Sequence, residues 1–174
     1  MLLTREPGGT EIGQKLRRIL LDRRSKISPV AELCLYEASR AILVAEVIRP
    51  ALESGRVVIV DRFQDSTWAY QGWAGGTDLK LVENLGEAAM RGILPDLTLL
   101  LDLPVRAGLS RARHPNRMEA KPVAFHEKVR QGFLKLASRE PKRFRLIRAD
   151  RPREQVQAEM RTVVAELLRK RGGR

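Results

Sequence analysis

The 174-residue chain has a single cysteine, Cys34, so it can close no disulfide within itself, a pattern that suits a reducing cytoplasm. Its two histidines and one thiol are too few for a transition-metal ligand cluster. No apolar run approaches the roughly 20 residues of a membrane-spanning helix. Met1-Leu2-Leu3 lacks the charged and apolar regions of a signal peptide. A complete P-loop is also lacking. The stretch Gly8–Lys15, GGTEIGQK, comes within one residue of G-x-x-x-x-G-K-[ST], whose amides cradle phosphates and whose Lys reaches the terminal phosphoryl group. Gly8 and Gly13 have the right spacing, but Gln14 stands where the Lys must be, and no Ser or Thr follows Lys15.

What is present is an ordinary globular composition, 43% apolar and 31% charged, long enough for one domain over residues 1–174. The net charge is +12, and it is unevenly placed. Residues 1–103 hold 13 Lys and Arg against 14 Asp and Glu, whereas residues 104–174 hold 20 against 7. That basic field either draws nucleotides, polyphosphates or nucleic acid, or is simply a solvated surface.

Helical and strand periods alternate along the chain. Thr10 caps a helix to about Arg23, and Ser28 precedes a longer one from Pro29 to Ser54, closed by Gly55. VVIV (Val57–Val60) and LTLLLDL (Leu97–Leu103) are short apolar runs that predict strands covered on both faces. Pro122 opens a helix with Phe125, Val129, Phe133 and Leu136 on one side. RFRLIRA adds a strand, and a last helix carries Val156, Met160, Val163 and Leu167 before the basic tail Arg169–Arg174. The pattern predicts an α/β fold with a mostly parallel sheet. Such sheets bind ligands at the carboxyl ends of their strands. Asp61-Arg62 stands at such an end, as a functional pair or as a capping Asp with a structural ion pair.

Three motifs carry a resemblance: TREPGGTEIG at the start, LYEASRAILVAEVIRPALESGRVVIVDRFQDSTWAYQG in the middle, and PDLTLLLDLPVRAGLSRAR later. In that order the chain resembles bacterial thymidylate kinase, from Leu3 to about Leu168. The resemblance implies a P-loop nucleoside-monophosphate-kinase-like three-layer fold. In that family REPGGT follows the second strand and lies beside dTMP, while the P-loop belongs to the preceding strand–loop–helix unit. The sequence is therefore expected to lack the first, central strand, the P-loop and the first helix, leaving a gap or altered pairing between Val57–Val60 and Leu97–Leu101.

The implied reaction moves the γ-phosphoryl group of ATP to dTMP with Mg²⁺, giving dTDP for dTTP synthesis. Positioning and charge stabilisation do most of that work. By the resemblance Tyr36, where relatives commonly have Phe, stacks the thymine, and Arg40 hydrogen-bonds its edge. Arg62 contacts the dTMP phosphate and the group in flight, and Asp61 lies near Mg²⁺. Ser66 and Thr67 lie near the base, with Gln71 on the same helix. Tyr70, Glu6 and Pro7 lie near the sugar. The segment at about 110–121 fits a mobile lid whose Arg111, Arg113 and Arg117 serve the phosphates, with solvated surface charge as the other reading of Arg117. Similar kinases are usually homodimers, here expected to pair through the Pro29 helix. Without a P-loop, little turnover is expected. An inactive dTMP-binding relative and, less favoured, a basic nucleic-acid-binding protein are the alternatives.

Overall fold

The computed structural model of the chain describes residues 1–111 and 114–172; the lid candidate Arg113 lies outside the described residues, as does the end of the basic tail. Strand β1 (Leu2–Arg5) runs into a cis Glu6–Pro7 peptide and the Gly8-Gly9 turn. At Gly9, φ is +79° and a Cβ would come within 2.5 Å of Leu43 Cδ1 and Thr4 Oγ1. Only glycine fits where this turn crosses the next layer. Helix α1 (Glu11–Leu21) begins at Thr10, whose hydroxyl accepts from the Gly13 amide at 3.0 Å. Helix α2 (Pro29–Leu43) begins at Ser28, which accepts from Ala31, with proline in the first turn. It continues through wider π-type turns over Val44–Ile48 into α3 (Arg49–Glu53), and Gly55, at φ 73°, turns the chain.

Strand β2 (Val58–Asp61) follows, then α4 (Gln64–Thr67), which runs without a break into π-type turns over Trp68–Ala74. Helix α5 (Leu79–Met90) starts at Asp78, which accepts from Leu81 N at 2.8 Å. Strand β3 (Thr98–Asp102), the short α6 (Val105–Leu109), α7 (Val123–Arg139), strand β4 (Phe144–Arg148) and α8 (Arg153–Gly172) complete the order.

The strands pair in parallel as two separate ribbons. In one, Leu2 to Arg5 lie opposite Val58 to Asp61; in the other, Thr98 to Asp102 lie opposite Phe144 to Arg148. Strands β2 and β3 do not pair with each other. The core divides the same way. Leu43, Val44, Ile48, Phe63 and Met90 pack with Val58 and Val60 of β2. Leu33, Trp68, Val82, Leu136 and Phe144 pack with Leu100 of β3. Each such buried side chain stabilises the fold by about 1.5–3 kcal/mol.

Burial on both faces, expected from the unbroken apolar runs, is not what the first ribbon shows. Side chains alternate across a strand, and Leu43 of α2 with Val44, Val47 and Ile48 of the turns after it pack on the face that holds Val58 and Val60. Leu3 and Ile59 on the opposite face remain 71% and 43% exposed.

Candidate functional site

The end of β2 builds the corner of the site. The Glu6 amide donates to the Asp61 carbonyl at 2.9 Å, extending the β1–β2 ladder by one bond. Arg62 then takes φ 68°, the left-handed region, which is uncommon for a side chain of this size and costs about 1–3 kcal/mol. This turn brings Arg62 to the wall of a cavity of about 310 Å³. Its guanidinium carbon sits 5.3 Å from the centroid of the Tyr70 ring. Tyr70 is itself braced by Phe125 and Phe133 of α7, at 6.1 and 6.2 Å between centroids. The apolar stripe of α7 thus fixes a ring that in turn orients the phosphate-binding candidate.

Behind this corner lies a buried charge cluster. Arg40, 1% exposed, projects from α2 between β1 and α4. Its Nε donates to Glu6 Oε2 at 2.9 Å, its Nη1 to Glu37 Oε2 at 2.6 Å and also to Gln64 Oε1, and its Nη2 to Thr67 Oγ1 at 2.9 Å. Nη2 also lies 2.7 Å from Glu6 Oε2. Every nitrogen is engaged within the protein, so the structure presents Arg40 as a clamp rather than as a free donor for a base edge.

Two carboxylates share that one cation, and neither is fully satisfied: Glu6 Oε1 and Glu37 Oε1 are buried without a hydrogen-bond partner. Burial pushes the Glu6 carboxyl up to about 7, against the pull of Arg40 and with some help from Glu37. Burial likewise raises Glu37. Tyr36, one helical turn before Arg40, is pushed up to about 12 by burial and by nearby Glu32. Its hydroxyl therefore stays protonated.

The structure brings most of the sequence candidates to this single cavity. Glu6 and Pro7 from the first loop, Tyr36 and Arg40 from α2, Asp61 at the end of β2 and Arg62 after it, and Ser66, Thr67, Tyr70 and Gln71 from the following helix all line it. The lid arginines Arg111 and Arg117 do not. Arg111 is exposed beyond α6, and Arg113 is outside the described residues. Arg117 turns away: its Nε donates to the Leu20 carbonyl at 2.7 Å, and its Nη1 pairs with Glu32 at 2.6 Å.

Several wall residues were not singled out from sequence. Arg17 of α1 lines the cavity and donates through Nη1 to the Pro7 carbonyl at 2.8 Å; its signal was its place two turns into the Thr10-capped helix. Asn116, Met118, Glu119 and His126 close the other side, and they converge only through the tertiary fold. His126 Nε2 is buried there without a partner.

Among the described residues no group of three or more His, Cys, Asp or Glu side chains could hold a metal ion. Asp61 and, on the other side, Glu119 are the exposed carboxylates of the cavity wall. That donor set does not suit a protein-enclosed metal. It does suit Mg²⁺, which takes one or two carboxylates and fills its other positions with water and substrate phosphate.

A carboxylate–guanidinium pair at a parallel-strand end, facing tyrosines and amides across a nucleotide-sized space, defines a nucleotide-handling α/β protein. Residues 1–160 match the family described as Thymidylate kinase. A thymidylate kinase of Desulfovibrio desulfuricans is 50% identical, with 98% of this chain and 84% of that protein covered. One of Deinococcus radiodurans is 47% identical, with 94% and 81% covered. The crystal structure of thymidylate kinase from Ehrlichia chaffeensis superposes with a TM-score of 0.75 at 30% identity, covering 94% of this chain and 79% of that one. The chain belongs to the thymidylate kinase family, and its fold is that of the P-loop nucleoside monophosphate kinases.

Proposed function

We propose that the cavity at the end of β2 is the seat of dTMP, the acceptor in phosphoryl transfer from ATP that yields dTDP. One observation carries the reading: Tyr36 from α2, Arg62 just after β2, and Tyr70 and Gln71 from the helix that follows share one space of about 310 Å³. Tyr36 supplies a flat face for the pyrimidine. Ser66, Thr67 and Gln71 supply polar atoms for its edge, and Tyr70 with the Glu6–Pro7 loop bounds the sugar. Arg62 takes the phosphate, since a guanidinium matches two phosphate oxygens and stabilises charge that grows during transfer. Arg17, on the same wall, adds positive charge beside it. Mg²⁺, when bound with ATP, neutralises phosphate charge; Asp61 is the residue that would hold its water shell.

The donor side is different. No stretch of the 174 residues reads G-x-x-x-x-G-K-[ST], so the Lys and amide cradle that hold the ATP phosphates are not among them. The 174-residue chain is therefore expected to bind dTMP in calorimetric titration and to form dTDP from ATP far more slowly than a kinase that carries a P-loop. A folded sample with no measurable dTMP binding overturns the proposal, and dTDP formation at rates typical of kinases, about 1–100 s⁻¹, overturns the low-turnover expectation. In this reading the acceptor half of the reaction works as a chain that pairs with a second copy through α2.

A further inference from the structure

The Gln71 amide is held in one orientation. Its Nε2 donates to Glu32 Oε1 at 2.8 Å, in a contact buried from solvent. Glu32 Oε2 is held in turn by Arg117 Nη1 at 2.6 Å. Arg117 is fixed at its other end, where its amide donates to the Leu21 carbonyl at 3.1 Å and its Nε to that of Leu20 at 2.7 Å. The chain of contacts thus runs from the carboxyl end of α1, through the strap at 116–119, to α2 and into the helix after α4. Glu32 is 6% exposed and Gln71 is 4% exposed, so water offers neither a ready alternative.

We propose that Glu32 and Arg117 are positioning residues that set which base the site accepts, an inference that rests on the dTMP reading above. A carboxylate paired with a guanidinium offers acceptors only. The amide nitrogen of Gln71 must therefore face Glu32, and its Oε1 is the polar atom left to offer the nucleotide cavity, which Gln71 also lines. An acceptor at that point calls for a donor on the ligand. Thymine and uracil carry N3–H; cytosine carries a bare N3 acceptor and would set two lone pairs against each other. Arg117, expected from sequence near the phosphates, acts here through two intermediaries on the base. Because its neighbours Asn116, Met118 and Glu119 form the cavity wall, docking of the strap and orientation of the amide are one event.

Paired calorimetric titrations of the 174-residue chain with dTMP and dCMP test this, with circular dichroism reporting the fold. The unaltered chain is expected to favour dTMP by about tenfold or more, the cost of one buried mismatched polar contact. Glu32→Gln can donate as well as accept, so the Gln71 amide is freed to turn, and the preference falls by roughly the same factor. Arg117→Gln lowers it too, and Arg117→Lys, which keeps a cation beside Glu32, restores most of it. Folded Glu32→Gln and Arg117→Gln proteins with the unaltered preference overturn the inference while leaving the dTMP reading standing. Absence of dTMP binding in the folded, unaltered chain overturns both. Nuclear magnetic resonance of the unaltered chain gives an independent check: slow exchange of the Gln71 side-chain amide protons supports the buried contact, and fast exchange like that of an exposed glutamine overturns it.

Discussion

Two strands of this protein end alike and are used differently. Strand β2 ends in Asp61, followed by Arg62; strand β3 ends in Asp102, opposite Arg148 of β4. At β3 the acid is consumed locally. Arg130 of α7 donates to both of its oxygens, at 2.6 and 2.8 Å, and these bonds hold Asp102 below the usual carboxylate range. Arg148 pairs with Asp150 at the surface. At β2, Asp61 forms no ion pair among the described residues, and Arg62 lies against a ring rather than a carboxylate. The difference arises behind the strand. A buried arginine, Arg40, organises the acids around β2, so the charges on the cavity wall are left for a ligand. A strand end becomes a site when its own charges are not needed to hold it together.

The largest test of that contrast is Arg40→Leu. It leaves Glu6 and Glu37 buried without their cation and is expected to cost about 3–5 kcal/mol in chemical denaturation. Arg130→Ala, at the partly exposed pair of β3, is expected to cost no more than about 1 kcal/mol. Equal losses would erase the distinction. Arg62→Ala is expected to weaken dTMP binding by about a hundredfold, near 2.7 kcal/mol, as loss of a charge-assisted contact in a partly desolvated site should. Arg130→Ala should leave that affinity unchanged.

A pH series sharpens the picture at β2. With Glu6 raised to about 7 in the folded protein and near 4.5 when unfolded, the folded state binds more protons between those values. Stability is therefore greatest below pH 4.5 as far as this group is concerned, and it falls as pH rises through 7, by up to about 3 kcal/mol. Unfolding midpoints measured from pH 5 to 8 should decline, and Glu6→Gln should flatten the decline. A slope that Glu6→Gln leaves intact would place its origin elsewhere.

Much of the candidate site, as a set of residues that meet at one cavity, was legible in the sequence because its parts are local. Tyr36 and Arg40 lie one helical turn apart, Asp61-Arg62 closes an apolar run, and Ser66 to Gln71 fall on one short helix. The caps Thr10 and Ser28 were legible for the same reason. What escaped was every role set by partners far along the chain. Arg40 lines the cavity as its helix position suggests, but its bond to Glu6, 34 residues earlier, has no signal in the local sequence. Arg117 reads as a phosphate contact until Leu20, 97 residues earlier, holds it. Helix α5 did offer a signal, the Asp78 cap, which the stronger motifs around it obscured. The open face of the first ribbon could not be read at all, because a run of β-branched residues looks the same whether one side or both are covered.

The chain has only two tryptophans, Trp68 and Trp73, and they lie stacked on each other, with ring centroids 5.7 Å apart. Both belong to the stretch that carries Tyr70 and Gln71. All indole emission from this protein therefore arises from one short segment beside the pocket. An optical titration needs no attached dye, and any change in that light reports on the segment that carries Tyr70 and Gln71 and on the core of α5, α7 and β4 against which it packs.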